Sequence, residues 1–104
     1  MPKVFVPHKG SHDYTKAKAF GDLIFLTEGL LFPRKVDLIY QQCLHGMIGA
    51  EMDDFLVVSG LPIVVSVASS ILAERFGRVN YLIWAGSDYV KRELVIRRKE
   101  YEQV

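Results

Sequence analysis

Seven consecutive residues, His8-Lys9-Gly10-Ser11-His12-Asp13-Tyr14, hold two imidazoles, an ammonium, a hydroxyl, a carboxylate and a phenol. Imidazoles change charge near neutral pH, so His8 and His12 can serve as acid, base or ligand. Lys9 can hold an anion, and Glu28, if it folds against this loop, can pair with either histidine. The competing interpretation is a solvated loop in which Asp13 caps a following helix. A second group of candidates lies in two turns, Thr27-Glu28-Gly29 and Ser59-Gly60, each after an unbroken apolar run and each expected to feed a helix. Helix N-termini expose unpaired N–H groups with partial positive charge, which attract phosphate or carboxylate. Gly29 and Gly60 would let a ligand approach the backbone. Small polar residues and glycines also make tight βα turns in α/β domains of every function. Neither G-x-G-x-x-G nor G-x-x-x-x-G-K-[ST] occurs, so the turns carry no dinucleotide fingerprint and no P-loop.

Other chemistries have less to stand on. A metal site from His8, His12, Asp13 and Glu28 matches no standard zinc spacing, and one cysteine excludes any multi-cysteine site or intrachain disulfide. Cys43 lies on an apolar stripe as a small hydrophobe, and His45, two residues on, points elsewhere. No G-x-S-x-G is present, so hydrolase chemistry has no nucleophile signature. Lys91, Arg92, Arg97, Arg98 and Lys99 form a basic run near Arg75 and Arg78, with Tyr81, Trp84, Tyr89 and Tyr101 available for stacking. That combination suits nucleic-acid phosphates and bases. The same charges also blunt an edge strand, and Glu93, Glu100 and Glu102 dilute them.

The elements that must position these residues follow from apolar periodicity. Val4–Val6 is a short strand closed by Pro7. Asp13 caps a short helix over Tyr14–Phe20, ended by Gly21. Asp22–Thr27 and Phe55–Val58 read as strands apolar on both faces, the mark of a parallel sheet covered by helices. Pro33 opens a helix whose Val36, Ile39, Tyr40, Cys43, Leu44, Met47 and Ile48 form one apolar stripe, with Gly49 as its C-cap. A second helix, from Pro62 to Gly77, is apolar almost all round and so is expected to be buried on more than one side, the second being another subunit. Val79–Trp84 is a strand, Gly86-Ser87-Asp88 a turn, Tyr89–Arg98 an antiparallel return, and Lys99–Val104 a charged tail that frays or is weakly helical. The fold class is α/β: a small Rossmann-like three-layer domain, with a mostly parallel sheet of three to four strands plus a C-terminal antiparallel hairpin strand. In such sheets ligands bind outside the carboxyl ends of the strands.

A chain of 104 residues with 50% hydrophobic and 24% charged residues is one globular domain, and a net charge of +1 gives no overall attraction to nucleic acid or membrane. The longest apolar stretch, Leu61–Ala73, is interrupted by Ser66, Ser69 and Ser70 and is shorter than a membrane span. Met1-Pro2-Lys3-Val4-Phe5 resembles no signal peptide, so a cytoplasmic protein is expected.

Four stretches carry a resemblance. They are His12-Asp13-Tyr14 with Phe20 to Gly29, then Asp53 to Gly60, then Phe76 to Ile83. Together they resemble small uncharacterised α/β open reading frames of phages and related mobile elements, which carry no assigned activity. The resemblance implies a viral origin, hence host cytoplasm, and transfers no catalytic residue. The resulting expectation is a non-enzymatic, self-associating protein without cofactor or metal. It binds an anionic small molecule, such as a nucleotide, or a host protein, through His8, Lys9, His12, Thr27, Glu28, Gly29, Ser59 and Gly60. The alternatives are a nucleotide- or phosphodiester-processing enzyme using His8 or His12 with Glu28, and nucleic-acid binding through the basic C-terminal strand.

Overall fold

A computed structural model describes residues 1–97. Its elements are β1 (Lys3–Lys9), a 3₁₀ helix (Thr15–Ala19), β2 (Asp22–Glu28), α1 (Val36–Gly46), β3 (Phe55–Val57), α2 (Pro62–Phe76), β4 (Arg78–Trp84) and β5 (Tyr89–Val95). They build one five-stranded mixed sheet in the order β2-β1-β3-β4-β5. β1 runs parallel to β2 and β3, β3 runs parallel to β4, and β5 returns antiparallel to β4. The returning strand ends at Val95; Arg98 and the Lys99–Val104 tail lie outside the described residues.

The two faces of the sheet are covered unequally. Phe5, Leu26, Leu56 and Val79 pack under Ile39 and Cys43 of α1, Met47 just past its end, and Val64, Ala68 and Leu72 of α2. Val4, Val6, Phe55, Val57 and Leu82 point the other way, beneath Tyr14, Ala17 and Tyr89. Alternation along buried strands therefore fills both faces. Both α-helices lie on one face and only a 3₁₀ turn with its flanks covers the other. The third layer expected of a Rossmann-like domain is thus a single short element.

Several expected boundaries move. β1 does not close at Pro7 but continues to Lys9, paired with β2 through His8↔Thr27 and Lys9↔Glu28. Pairing with β3 stops at Phe5↔Leu56, so Pro7 sits where that side of β1 is already an edge, and its missing N–H costs no ladder bond there. Pro33 does not start α1. It occupies the second position of a turn closed by Lys35 N–H to Phe32 C=O at 2.9 Å, and the helix begins at Val36. The turn after β2 therefore does not feed a helix directly. Gly49 does not cap α1, which ends at Gly46, where the Arg75 guanidinium donates to the Met47 carbonyl at 2.6 Å. Tyr14, not Asp13, holds the cap position of the 3₁₀ helix; Asp13 instead accepts the Thr15 N–H at 2.8 Å.

α2 is not apolar all round. Pro62, Ser66, Ser70 and Glu74, four residues apart, form an exposed stripe. The hydroxyls of Ser66 and Ser70 donate to the carbonyls of Pro62 and Ser66, each at 2.9 Å, so they need no outside partner. Its second buried side is taken by α1 of the same chain.

Candidate functional site

Parallel strands bring their carboxyl ends to one edge. The ends of β1 and β2, and the loops after β3 and β4, meet there. The chain leaves β1 toward β2 over the face that carries the 3₁₀ helix. It leaves β3 toward β4 over the face that carries α2. The connections diverge between β1 and β3, which makes that gap the topological switch point, where open α/β sheets form a crevice.

The expected candidates gather around it. His8, at the end of β1, has its Nδ1 2.8 Å from the Thr27 hydroxyl of β2. The Thr27 hydroxyl donates to the Pro7 carbonyl at 2.7 Å. A threonine has one proton to give and a carbonyl can only accept, so His8 Nδ1 is the donor to Thr27. In the neutral ring this leaves the lone pair on Nε2. Gly60, with φ at +85°, lies across the crevice, and a Cβ there would stand 3.6 Å from the His8 Cβ. Its left-handed backbone suits a residue without a side chain.

The His8–Tyr14 loop crosses this edge. The Tyr14 phenol and the Ser59 hydroxyl are 2.9 Å apart, tying the loop to the turn after β3. His12 packs on the Tyr14 ring at 4.8 Å, and the Lys9 ammonium lies 5.6 Å from the Phe25 ring centroid. Further along, Lys16 donates to the Ser87 carbonyl at 2.6 Å, pairs with Asp88 at 3.8 Å and sits over Trp84. Bonds from the Thr15 hydroxyl and N–H hold the Asp13 carboxyl below its usual range. α2 begins just past Gly60, and its N-cap, Leu61, supplies no side-chain cap to the first turn.

Glu28 does not join this group. It lines a separate cavity of about 440 Å³ against α1, with Gln42 and His45 among its neighbours. Among the described residues no hydrogen bond or ion pair links it to His8 or His12. Gly29 ends β2 with φ at +75° and faces open space. The sequence therefore anticipates His8, Lys9, His12, Thr27, Ser59 and Gly60 at one edge, but mistakes the partner of His8. It also counts Tyr14 only as part of a polar loop, Trp84 only as a stacking partner of the basic run, and Lys16 not at all.

The other proposed chemistries disperse. Among the described residues no three His, Cys, Asp or Glu side chains gather as metal ligands. Cys43 is fully buried, and burial pushes its thiol up to about 11. Of the basic run, Arg98, Lys99 and the stacking candidate Tyr101 lie outside the described residues. Arg78 is paired with Glu93, Arg75 is bonded at the end of α1, and Lys91 rests over Phe55. Tyr89 is buried and Tyr81 is bonded through its hydroxyl to Ser69 under α2, so neither presents a ring face for stacking. No helix among the described residues is long and apolar enough to cross a membrane.

The opposite edge has a structural device that the sequence reading passed over. The Asp54 carboxylate, 3% exposed, accepts the Lys3 N–H at 2.9 Å and the Glu51 N–H at 2.8 Å, with the Lys3 ammonium at 3.6 Å. Asn80 donates to the carbonyls of Met52 and Asp54 at 3.0 and 3.1 Å. An asparagine inside the apolar strand Val79–Trp84 was the available signal, since a buried amide requires partners.

Over the described residues, fold and site together define a small α/β domain with a five-stranded mixed sheet, two α-helices and a cluster of polar side chains at the carboxyl edge of its parallel strands. The family of the Phage Pam3 gp32-like protein matches residues 2–97, and the chain belongs to it. This bears out the resemblance to small phage proteins. No curated protein and no solved structure matches the chain.

Proposed function

We propose that this phage-family domain is a non-enzymatic binding protein whose switch-point crevice takes a small anionic ligand, with a nucleotide as the best-fitting class. The observation that carries this reading is the convergence of four separate segments on one crevice through the His8–Thr27 and Tyr14–Ser59 hydrogen bonds. The chemistry suits an anion with a flat appendage. Lys9 supplies positive charge, and the first turn of α2, where Pro62 has no N–H and those of Val64 and Val65 go to the Leu61 carbonyl, supplies the Ile63 N–H and the positive end of a helix dipole. Gly60 admits close approach, while Phe25, exposed beside Lys9, offers a ring face.

Binding is favoured over catalysis by the partner of His8. A histidine working as general base is usually oriented by a carboxylate that also stabilises the imidazolium. Here a threonine hydroxyl fills that position, and Glu28 stands against α1.

The test is a ¹⁵N-NMR titration of the full chain with AMP and, separately, with inorganic phosphate. Saturable shifts confined to His8, Lys9, His12, Ser59, Gly60 and the first turn of α2 are expected. Replacing Lys9 and His12 together with alanine should weaken binding at least tenfold. Flat spectra at millimolar ligand, or shifts scattered over the surface, would overturn the reading.

A further inference from the structure

β5 lies at one edge of the sheet, and α2 covers β1, β3 and β4. Lys91, Arg92, Glu93, Leu94 and Val95 are all exposed. The direction of the free backbone groups can be read from two bonds. Ile96 N–H donates inward to the Gly77 carbonyl at 2.9 Å, so by alternation the even-numbered residues of β5 face β4. The Arg92 guanidinium donates to the Lys91 carbonyl at 2.7 Å, on the outer side of the strand. Tyr89, Lys91, Glu93 and Val95 therefore turn their N–H and C=O groups outward, where among the described residues no further strand pairs with them and Arg92 takes up only the Lys91 carbonyl.

The geometry points to a second copy of this chain as the occupant of that edge, with β5 pairing antiparallel to β5 about a two-fold axis at Arg92. Outward residues must face outward residues, which leaves few symmetric registers. An axis at Lys91 sets lysine against lysine, and an axis at Glu93 sets glutamate against glutamate. The axis at Arg92 sets Lys91 opposite Glu93 twice, Val90 opposite Leu94 twice, and Tyr89 opposite Val95 twice. It is also the centre of the strand Tyr89–Val95, so every residue of β5 is paired. Opposite charges and apolar pairs facing each other across strands are the stabilising combinations. Two copies so joined share one continuous sheet with a self-complementary interface, as two-fold symmetry requires.

Arg92 sets the strength. It faces its own copy across the axis, and its bond to the Lys91 carbonyl must be exchanged for the N–H of Glu93 from the other copy. Pairing along one short strand also buries less than a standard interface. The dimer is thus weak and reversible, with half-association at roughly 10–100 μM, the range of small transient interfaces. This surface is independent of the carboxyl-edge crevice, so either reading can fail without the other.

The experiment is sedimentation of the full chain at about 10–500 μM, with circular dichroism to verify folding. Wild type should show a reversible monomer–dimer equilibrium. K91E sets acid against acid in a homodimer and E93K sets base against base, so each alone should raise the dissociation constant at least tenfold. Mixed, the two variants restore opposite charges at both pairs and should dimerise. E93K also removes the partner of Arg78, so R92C provides a second test that leaves both charges in place. Non-hydrogen-bonded residues facing each other in antiparallel strands have Cα atoms about 4.5 Å apart, within disulfide range. Cys43 is buried, so oxidised R92C should form a disulfide dimer through residue 92 alone. A wild-type monomer throughout, folded variants that dimerise like wild type, a monomeric mixture of folded variants, or R92C that stays uncrosslinked would each overturn the proposal.

Discussion

Replacing Thr27 with valine tests the centre of the crevice, because valine keeps the shape and removes only the hydroxyl. Thr27 is 4% exposed, so water cannot readily take over the broken bonds. Two are lost: the donation to the Pro7 carbonyl at 2.7 Å and the acceptance from His8 Nδ1 at 2.8 Å. A hydrogen bond contributes about 1 kcal/mol net, and a buried carbonyl left without a partner adds a desolvation cost. The two together predict a loss of about 2–3 kcal/mol. For a domain of this size that corresponds to a fall in melting temperature of roughly 10–20 °C. Urea denaturation of T27V against wild type measures the energy. The ¹⁵N shifts of the His8 ring measure the geometry at the same time. The donor count requires wild-type neutral His8 to carry its proton on Nδ1, and T27V removes the acceptor that enforces this. A loss below about 0.5 kcal/mol, or a wild-type His8 ring protonated on Nε2, would refute the reasoning.

Further predictions concern the rest of the fold. D54A removes the acceptor of the Lys3 and Glu51 N–H groups and should cost about 3 kcal/mol in a urea melt, while D54N, which keeps one carbonyl oxygen, should cost less. G21A places a Cβ 2.1 Å from the Pro2 carbonyl oxygen, so the start of β2 must separate from Pro2, with a loss of about 2–3 kcal/mol by thermal denaturation. Cys43 should be alkylated in the native protein at pH 8 at least about 100-fold more slowly than in the unfolded chain, since its thiol is fully buried and burial also raises it from 9.0 to about 11. The folded value lies above the unfolded one, so the thiol's contribution to stability is full below pH 9.0 and fades as pH rises toward 11. The stability gap between wild type and C43A should therefore narrow over that window.

The sequence by itself determined the class of the fold and much of the composition of the crevice. Apolar runs at Leu23–Leu26 and Phe55–Val58 point to parallel strands with helices above them, although only Phe55–Val57 is buried on both faces, while β2 lies at the sheet's edge with Phe25 exposed. Parallel strands send their following turns to one edge, which is why Thr27, Ser59 and Gly60 can be grouped with His8 and Lys9 from the sequence alone. Only tertiary structure decided the contacts made there. Glu28 and Thr27 are neighbours in sequence, yet one faces α1 and the other His8, because alternation along a strand separates adjacent side chains by a whole sheet. Register alone fixes which of them meets the histidine. Likewise Ser66 and Ser70 interrupt an apolar helix without revealing whether they face solvent or a partner. The packing of α1 against α2 settles that, leaving the serines outside with hydroxyls bonded to their own helix. Local sequence fixes periodicity and turn chemistry, both properties of neighbours along the chain. Which side chains touch across the sheet depends on strand order and register, and the folded chain sets these only when both faces of the sheet are packed together.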